Sequence, residues 1–328
     1  MAESLINSIA RLRVIEKRLL TKETVSRLVQ AASYEECLKI LRESGYGAGA
    51  AAEGDETEAL IAAQLGETYD LMKELMPERN AFVTDVFRMR HDMTNVKLFY
   101  KLRLIGEKAD PGAPDFGGVY PADKLKAAVE KGDYSMLPKR ICDALEELDV
   151  ETYHSVDPQR ISCRIDAAFH EYAMGLKNAF VREYFSALAD FTNLIGAVRG
   201  LNRDDILPGG ELGNDELDSI RAALKESPEK IPSMIKSPLQ TSAVREAMKL
   251  GFAEYLRTGH AAALEKARDD YLISLASRGK NEISTEAPIV GYMLAREREA
   301  EVVRLILTAK RSGIPMSAID ERSLTLYG

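Results

Sequence analysis

Tryptophan is absent from the sequence, and aromatic residues make up only 7% of it. So low an aromatic content argues against a site built as an aromatic cage around a ligand. No run approaches the roughly 18 consecutive apolar residues that span a bilayer, and the first helix lacks the apolar segment of a signal peptide. The three cysteines lie far apart without a CxxC pair, which indicates reduced cytosolic thiols rather than a disulfide or a metal site; they are Cys37, Cys142 and Cys163.

Basic residues are fewer than acidic ones, 44 against 52, so the net charge is −8. A nucleic-acid-binding surface is therefore disfavoured, because such surfaces carry an excess of positive charge. Hydrophobic residues at 45% and charged residues at 29% are typical of a soluble, here intracellular, globular protein. Apolar residues recur at helical spacing, as at Leu5, Ile9 and Leu12, and no strand-like alternation is found. The sequence thus predicts an all-α fold.

One amphipathic segment occurs twice in the chain. NAFVTDVFRMRHDMTN begins at Asn80, and NAFVREYFSALADFTN begins at Asn178, 98 positions later. Eight of the sixteen letters agree in register, among them two phenylalanines, an aspartate and the final asparagine. We call these residues the repeat signature: Phe82, Phe87, Asp92 and Asn95 in the first copy, and Phe180, Phe185, Asp190 and Asn193 in the second.

A third copy of this segment is recognisable 109 positions beyond the second. Leu294 takes the place of the second phenylalanine and Glu299 that of the aspartate, whereas Val302 replaces the asparagine. The segments SYEEC at Ser33 and DYSML at Asp133 also match, since each opens a short helix with Ser or Asp followed by Tyr. The chain therefore contains about three repeats, each pairing short helices with long ones.

Two linkers rich in proline and glycine separate these repeats, DPGAPDFGGVYP from Asp110 and NRDDILPGGELGND from Asn202. Such composition is typical of domain boundaries. We predict three similar helical domains that span residues 1–109, 110–206 and 207–328. The first helix is free in this scheme to pack against the third domain.

The repeated acids allow two interpretations. Asp92 and Asp190 could form a pair of catalytic carboxylates, which requires two groups within a few ångströms and in unlike environments. Alternatively, each acid makes a buried polar contact that fixes its long helix against the short helices of the same domain. The second interpretation is favoured, because equivalent positions in tandem domains usually end up far apart and the third copy has lost its amide. We therefore predict no catalytic residue.

Other motifs give little support to a chemical site. The glycine run from Gly45 to Glu56 follows no strand and lacks the GK[ST] of a phosphate-binding loop. A single Glu-x-x-His, Glu151 with His154, lies against a turn, whereas a di-iron bundle needs this motif twice. His91 lies next to Asp92, but no second histidine follows at a spacing typical of metal ligands, such as HExxH. The sequence thus predicts neither a metal nor a cofactor.

Basic residues recur after each acid-containing segment, toward the end of each long helix: Arg103, Arg199, Arg304 and Lys310. A solvated helix face is the default explanation for such charges. Similar residues contributed by three domains could also form a docking surface for a partner that passes between them. We keep these four as a candidate partner interface.

Four segments together resemble the C subunit of the V/A-type rotary ATPases and ATP synthases, the relative of the eukaryotic d subunit. They are ARLRVIEKRLL, LKILRESGYG, DMTNVKLFYKLR and the C-terminal PIVGYMLAREREAEVVRLILTAKRSGIPMSAIDERS. The last is the most specific, and the resemblance covers the whole chain. The sequence departs from the family pattern at Val302 and at NSIARLR, where a tyrosine-led start is expected.

The resemblance implies a funnel of three all-α domains around a central cavity, without catalytic residues. It implies a rotor subunit on the cytoplasmic face of the membrane that couples the central stalk, subunits D and F, to the ring of proteolipid subunits and transmits torque. No nucleic acid and no small-molecule substrate are implied. Two alternatives remain, a free-standing helical scaffold and an all-α enzyme that uses Asp92 and Asp190, with a metal near His91 and His154.

Overall fold

A computed structural model describes residues 5–50, 55–108, 117–152, 157–235, 242–319 and 326. Across these residues the fold is all-α, as predicted, and contains no strand. Short 3-10 turns join several of the helices. The helices are α1 Leu5–Ile15, α2 Lys22–Gln30, α3 Tyr34–Glu43, α4 Glu56–Leu75, α5 Ala81–Ile105, α6 Ala122–Lys131, α7 Lys139–Thr152, α8 Pro158–Gly175, α9 Ala179–Val198, α10 Asn214–Glu226, α11 Ile231–Met234, α12 Ser242–Thr258, α13 Ala262–Arg278 and α14 Ala287–Arg311.

Local sequence signals explain where several helices begin and end. Ser33 caps α3, because its hydroxyl oxygen accepts the backbone N–H of Glu36 at 3.2 Å. Gly45 follows the end of α3 and has φ = 76°, in the left-handed region that favours glycine at the end of a helix. The stretch 158–198 is divided into α8 and α9, because Asn178 caps α9 by accepting the N–H of Val181 at 3.0 Å.

One helix starts later than its sequence pattern predicts. The spacing suggests a helix from Tyr134, but α7 begins at Lys139. Pro138 precedes it and disfavours helical backbone at Leu137, so Tyr134 lies in a turn before the helix.

The chain divides into two compact units. The first combines both ends of the chain, Met1–Thr84 and Ile273–Gly328. There α14 packs mainly on α4 and also contacts α3 and α1. Its core includes buried aliphatic side chains from the N-terminal helices, from α4 and from α14, namely Leu28, Leu41, Ile61, Val303 and Ile306.

The second unit is the continuous stretch Asp85–Leu272. Within it α7 packs on α8, α8 on α9, and α9 on α10. Aromatic rings fill part of its core: Phe87 and Phe185, equivalent in the two repeats, have centroids 5.5 Å apart. Phe169 approaches Phe185 edge-on at 5.6 Å. The predicted division into three domains stays a prediction, and its first boundary lies outside the described residues.

Candidate functional site

The three repeated acids are almost fully buried. Asp92 on α5 and Asp190 on α9 are 0% exposed, and Glu299 on α14 is 2% exposed. A buried carboxylate is costly unless it accepts hydrogen bonds, so its partners show what it does.

Asp92 holds the backbone that leads into α6. Its Oδ2 accepts the N–H of Val119 at 2.8 Å, and its Oδ1 accepts the N–H of Tyr120 at 3.2 Å. Burial raises the pKa of this carboxyl above its usual value, although the two N–H groups oppose the rise. Gly118 lies so close that an added Cβ would overlap the carboxylate. The acid therefore fixes the entry to a short helix.

Asp190 does the same before α10. Its Oδ1 accepts the N–H of Leu212 at 2.8 Å, and a Cβ on Gly210 would overlap that oxygen. The repeated asparagine adds a second attachment: Asn193 donates to the carbonyl of Leu207 at 2.8 Å and accepts its N–H at 2.7 Å. The acid and the amide together fasten both ends of this connecting segment to α9.

Glu299 reaches to the opposite end of the chain. Its Oε1 accepts the N–H of Leu20 at 2.5 Å, just before α2. Its Oε2 accepts from Arg296 at 2.7 Å, in an ion pair whose side chains are 3% and 5% exposed. Burial raises the pKa of the Glu299 carboxyl, while Arg296 and the Leu20 N–H lower it. Val302, which replaces the repeated asparagine, is buried in the apolar core of the first unit.

The three contacts share one pattern. Each acid on a long helix accepts a backbone N–H from the segment just before a short helix, α6, α10 or α2. For the third acid that short helix lies at the N-terminus. Sequence reasoning left the first helix free to pack against the third domain, but it assigned each acid's contact to short helices of its own domain and did not predict the contact of Glu299 with Leu20. The similarity of SYEEC and DYSML was the available signal, since it makes α2 and α3 the counterparts of α6 and α7.

Two of the four candidate interface cations are engaged within the fold. Arg103, at the end of α5, donates to the carbonyl of Val129 at 2.7 Å and to the Tyr134 hydroxyl at 2.9 Å. Lys310, at the end of α14, donates to the carbonyls of Val29 at 2.8 Å and Ala31 at 2.5 Å. Both bind the C-terminal end of a short helix, where carbonyls lack helical partners and favour a cation.

The other two cations are more accessible. Arg199 pairs with Glu265 at 2.7 Å, and Arg304 pairs with Glu58 at 2.8 Å. Their side chains remain 56% and 46% exposed. Because exposed ion pairs are weak, these side chains can exchange partners at little cost.

The remaining signature residues are apolar packing positions or a buried amide. Phe87 and Phe185 are fully buried and Asn95 is 1% exposed. Three signature residues are only partly buried. Phe82 and Phe180 lie near the starts of α5 and α9, and Leu294 is the counterpart of Phe185 in the third copy.

The geometry gives little support to the enzyme interpretation. Asp92 and Asp190 bind different backbone segments and expose no surface to a substrate. Within the described parts of the chain, no group of three or more His, Cys, Asp or Glu residues could hold a metal ion. His154 lies outside the described residues. The cysteines are unpaired, and burial raises the pKa of the Cys163 thiol to about 11.

Comparison with known proteins identifies the family. The model of the ATP synthase (C/AC39) subunit family matches residues 8–322. The chain belongs to that family. This confirms the resemblance stated from the sequence motifs and makes this C/AC39 chain a subunit of the rotary ATPase class of complexes.

Relatives of this C/AC39 chain match over nearly their full length. The C subunit of the V-type sodium ATPase of Enterococcus hirae is 23% identical, with 98% of each chain covered. The C subunit of the A-type ATP synthase of Methanocaldococcus jannaschii is 23% identical, with 97% of this chain and 85% of the relative covered. That of Desulfurococcus sp. is 25% identical, with 95% and 88% covered. Among the helices of the described residues, none combines the length and apolarity that would let it cross a membrane.

Proposed function

We propose that the chain is a non-catalytic rotor subunit of a V/A-type ATPase or ATP synthase. It lies on the cytoplasmic face of the membrane and couples the central stalk, subunits D and F, to the membrane rotor ring. The observation that carries this proposal is the family match across residues 8–322. The names of the relatives, which are C subunits of a sodium ATPase and of A-type ATP synthases, agree with it.

The buried contacts support a role that needs stiffness. A part that transmits torque must resist deformation between its contact surfaces, and close-packed cores have low compressibility. Here each of three long helices is joined to a backbone segment before a short helix by a buried carboxylate, and the acid on α14 also forms an ion pair with Arg296. Such contacts restrict how each long helix can move against the short helix whose preceding segment it binds, which is α6, α10 or α2.

The direct test is assembly. The purified chain is mixed with a separately expressed pair of subunits D and F, captured through a tag on D, and weighed by native mass spectrometry. We expect a one-to-one-to-one complex. No complex at micromolar concentrations would contradict the rotor role and favour a free-standing scaffold.

Charge reversal locates the binding surface. We expect Arg199→Glu and Arg304→Glu each to weaken binding of the D–F pair roughly tenfold. Each change replaces a cation that would attract an acidic group of the partner with an acid that repels it. Lys124→Glu, at an exposed position on α6, is the matched control and should bind as the unaltered chain does. Unchanged affinity in both arginine variants, measured by calorimetry, would remove these residues from the interface.

A further inference from the structure

The last turn of α14 carries two adjacent cations that bind three N-terminal helices of the first unit. Lys310 donates to two carbonyls at the end of α2. Arg311 donates through Nη2 to the Tyr34 hydroxyl, at the start of α3, at 2.7 Å. Its guanidinium also binds the carboxylate of Asp55, just before α4, with contacts of 2.5 and 2.8 Å. One helix end therefore joins three helices through residues that lie between 256 and 281 positions earlier in the chain.

The equivalent helix end in the second unit makes these contacts through one residue. Arg103 and Lys310 each lie eleven positions after their repeated acid, so they are counterparts. Arg103 donates to the carbonyl of Val129 at 2.7 Å and to the Tyr134 hydroxyl at 2.9 Å. It also pairs with Asp149, which accepts from the Tyr134 hydroxyl at 2.8 Å. A carbonyl, a tyrosine and an aspartate thus surround a single guanidinium at the end of α5.

The first unit divides the same contacts between two residues. Val29 and Tyr34 each lie 100 positions before their counterparts in the second unit. A lysine ammonium lacks the fork of a guanidinium, and Lys310 binds the carbonyls. The tyrosine and the aspartate are bound by Arg311, at a position where α5 carries Leu104. The contact is therefore retained in both units, although the residues that make it differ.

The two arginine–aspartate pairs differ in their exposure to solvent. The side chains of Arg103 and Asp149 are 22% and 32% exposed. Those of Arg311 and Asp55 are 46% and 44% exposed. Dissolved ions screen an exposed pair much more than a partly buried one. The pair at the end of α14 should therefore weaken more with added salt than the pair at the end of α5.

Two further ion pairs at the start of α4 are exposed as well. Glu56, on the first turn of α4, pairs with Arg42 of α3. Glu58, on the same turn, pairs with Arg304 of α14 at 2.8 Å. The four side chains are between 42% and 60% exposed. Each pair joins the start of α4 to α3 or to α14, as the pair of Arg311 does. Added salt therefore weakens three connections around one helix start at once.

We propose that the end of α14 is a salt-dependent latch of the first unit, formed by Arg311 with Tyr34 and Asp55. At low ionic strength the latch holds the last turn of α14 against α3 and α4. At high ionic strength the ion pair separates and this last turn opens, while Glu299 continues to hold the segment before α2 from further back on the helix. The opening is local and does not depend on the rotor function.

The charge of Asp55 makes the latch insensitive to moderate acid. The hydrogen bond from Arg311 lowers the pKa of this carboxyl to about 2, so it stays ionised from pH 8 down to pH 5. The arginine is protonated throughout this range. Ionic strength, and not pH, is therefore the variable that separates the pair.

Hydrogen exchange of the purified full chain, followed by mass spectrometry at pH 7, tests the latch. Exchange is measured in about 0.1 M and about 1 M NaCl, because the screening length falls from about 10 Å to about 3 Å between them. Peptides that cover the last turns of α14 and α5 are compared. We expect exchange at the end of α14 to become about three- to tenfold faster at high salt. At the end of α5 it should change by less than about twofold.

Asp55→Asn separates the charge from the helix cap. Asparagine keeps an oxygen that can accept the N–H of Thr57 and cap α4, but it cannot form an ion pair with Arg311. Exchange at the end of α14 should then be about three- to tenfold faster already at low salt, and the further effect of salt should be less than about twofold. Asp70→Asn is the matched control, since it removes an exposed acid of α4 that pairs with Lys73. It should behave as the unaltered chain does.

Tyr34→Phe tests the hydroxyl separately from the charge. The variant leaves the ion pair in place, so exchange at low salt should rise by no more than about threefold while the salt dependence persists. Loss of the salt dependence in this variant would contradict a latch based on charge.

The proposal is overturned by equal salt effects at the ends of α5 and α14, by an Asp55→Asn variant that keeps the full salt effect, or by equal losses in Asp55→Asn and Asp70→Asn. If Asp55→Asn does not fold, Arg311→Gln replaces it, with the same expected loss of the salt effect. A chain that binds the stalk pair but shows no salt-dependent exchange would refute the latch and leave the rotor function intact.

Discussion

The two units use the same kind of contact in different ways. In the second unit, Asp92 and Asp190 bind backbone N–H groups only 27 and 22 residues further along the chain. In the first unit, Glu299 binds Leu20, which is 279 residues away. The nearby acids orient a segment that the chain already holds close. The distant acid helps to hold together the two ends of the chain.

This difference in sequence separation changes the entropic cost of forming each contact. Closing a flexible loop of 279 residues costs about 2 kcal/mol more than closing one of 22, because the cost rises with the logarithm of length. Other contacts across the first unit supplement Glu299, including Lys310 on the carbonyls of Val29 and Ala31. We therefore expect the first unit to depend more on its buried polar contacts than the second does.

The largest expected effect follows from Glu299→Ala. The substitution leaves Arg296 buried without its carboxylate and Leu20 N–H without an acceptor, so the free energy of unfolding should fall by about 3–5 kcal/mol. Urea denaturation followed by circular dichroism measures this loss. Hydrogen exchange should report that α2 opens first.

The control for this prediction lies two positions further on. Glu301 is 62% exposed and pairs with Arg298 at 2.8 Å, so Glu301→Ala should change the free energy of unfolding by less than about 1 kcal/mol. Equal losses in the two variants would show that Glu299 does not hold the chain ends together.

The second unit should respond less to the same change. Asp92→Ala removes the acceptor of two backbone N–H groups, and Asp190→Ala removes the acceptor of the Leu212 N–H. Each substitution should therefore lower the free energy of unfolding by about 2–3 kcal/mol. Binding of the D–F pair should persist wherever the variant is folded. Asp143→Ala, a partly exposed acid on α7, is the control. A retained melting temperature with lost binding would contradict the structural role.

The all-α fold was predictable from the sequence, because helical periodicity and caps such as Ser33 are local signals. The burial of Asp92 and Asp190 was anticipated too, since one acid recurring on one amphipathic helix indicates a shared packing position. The direction of the contacts was not predictable from that pattern. A repeat shows that two positions are equivalent, but not which segment each one touches.

Two cations show the other limit of the sequence analysis. Arg103 and Lys310 resemble surface cations in the sequence, because each lies near the end of a long helix. Their partners appear only in three dimensions: Arg103 donates to a carbonyl on α6, 26 residues further along, and Lys310 donates to carbonyls at the end of α2, 281 and 279 residues earlier.

A fall in pH should affect the stability of the two units differently, because all four histidines of the sequence lie outside the first unit. His170 in the second unit is 4% exposed, its Nδ1 has no partner among the described residues, and burial lowers its pKa from 6.5 to about 4. The unfolded chain therefore takes up this proton at higher pH than the folded one. Stability is full above pH 6.5 and should fall by about 2 kcal/mol from pH 7 to pH 5.

The His170→Phe variant tests this pH dependence. Phenylalanine keeps the ring packed against Phe169 and Phe185 but cannot be protonated, so the fall between pH 7 and pH 5 should shrink by about 2 kcal/mol. Denaturation at the two pH values measures the difference. His260→Gln, at an exposed position, should leave the dependence unchanged. An equal change in both variants would refute the assignment to His170.

The smallest expected effect concerns the glycines that let the shorter acids reach the backbone. A Cβ on Gly210 would overlap the carboxylate of Asp190, whereas the residues before Leu20 all carry side chains. Glutamate has one more methylene than aspartate, so Glu299 reaches Leu20 without a glycine there. Gly210→Ala should therefore lower the free energy of unfolding by about 1–2 kcal/mol, and Gly175→Ala, with open space around its Cβ, should not. Combined with Asp190→Ala, Gly210→Ala should cost much less, because the overlapping atom is gone; full additivity in this double-mutant cycle would refute the steric explanation.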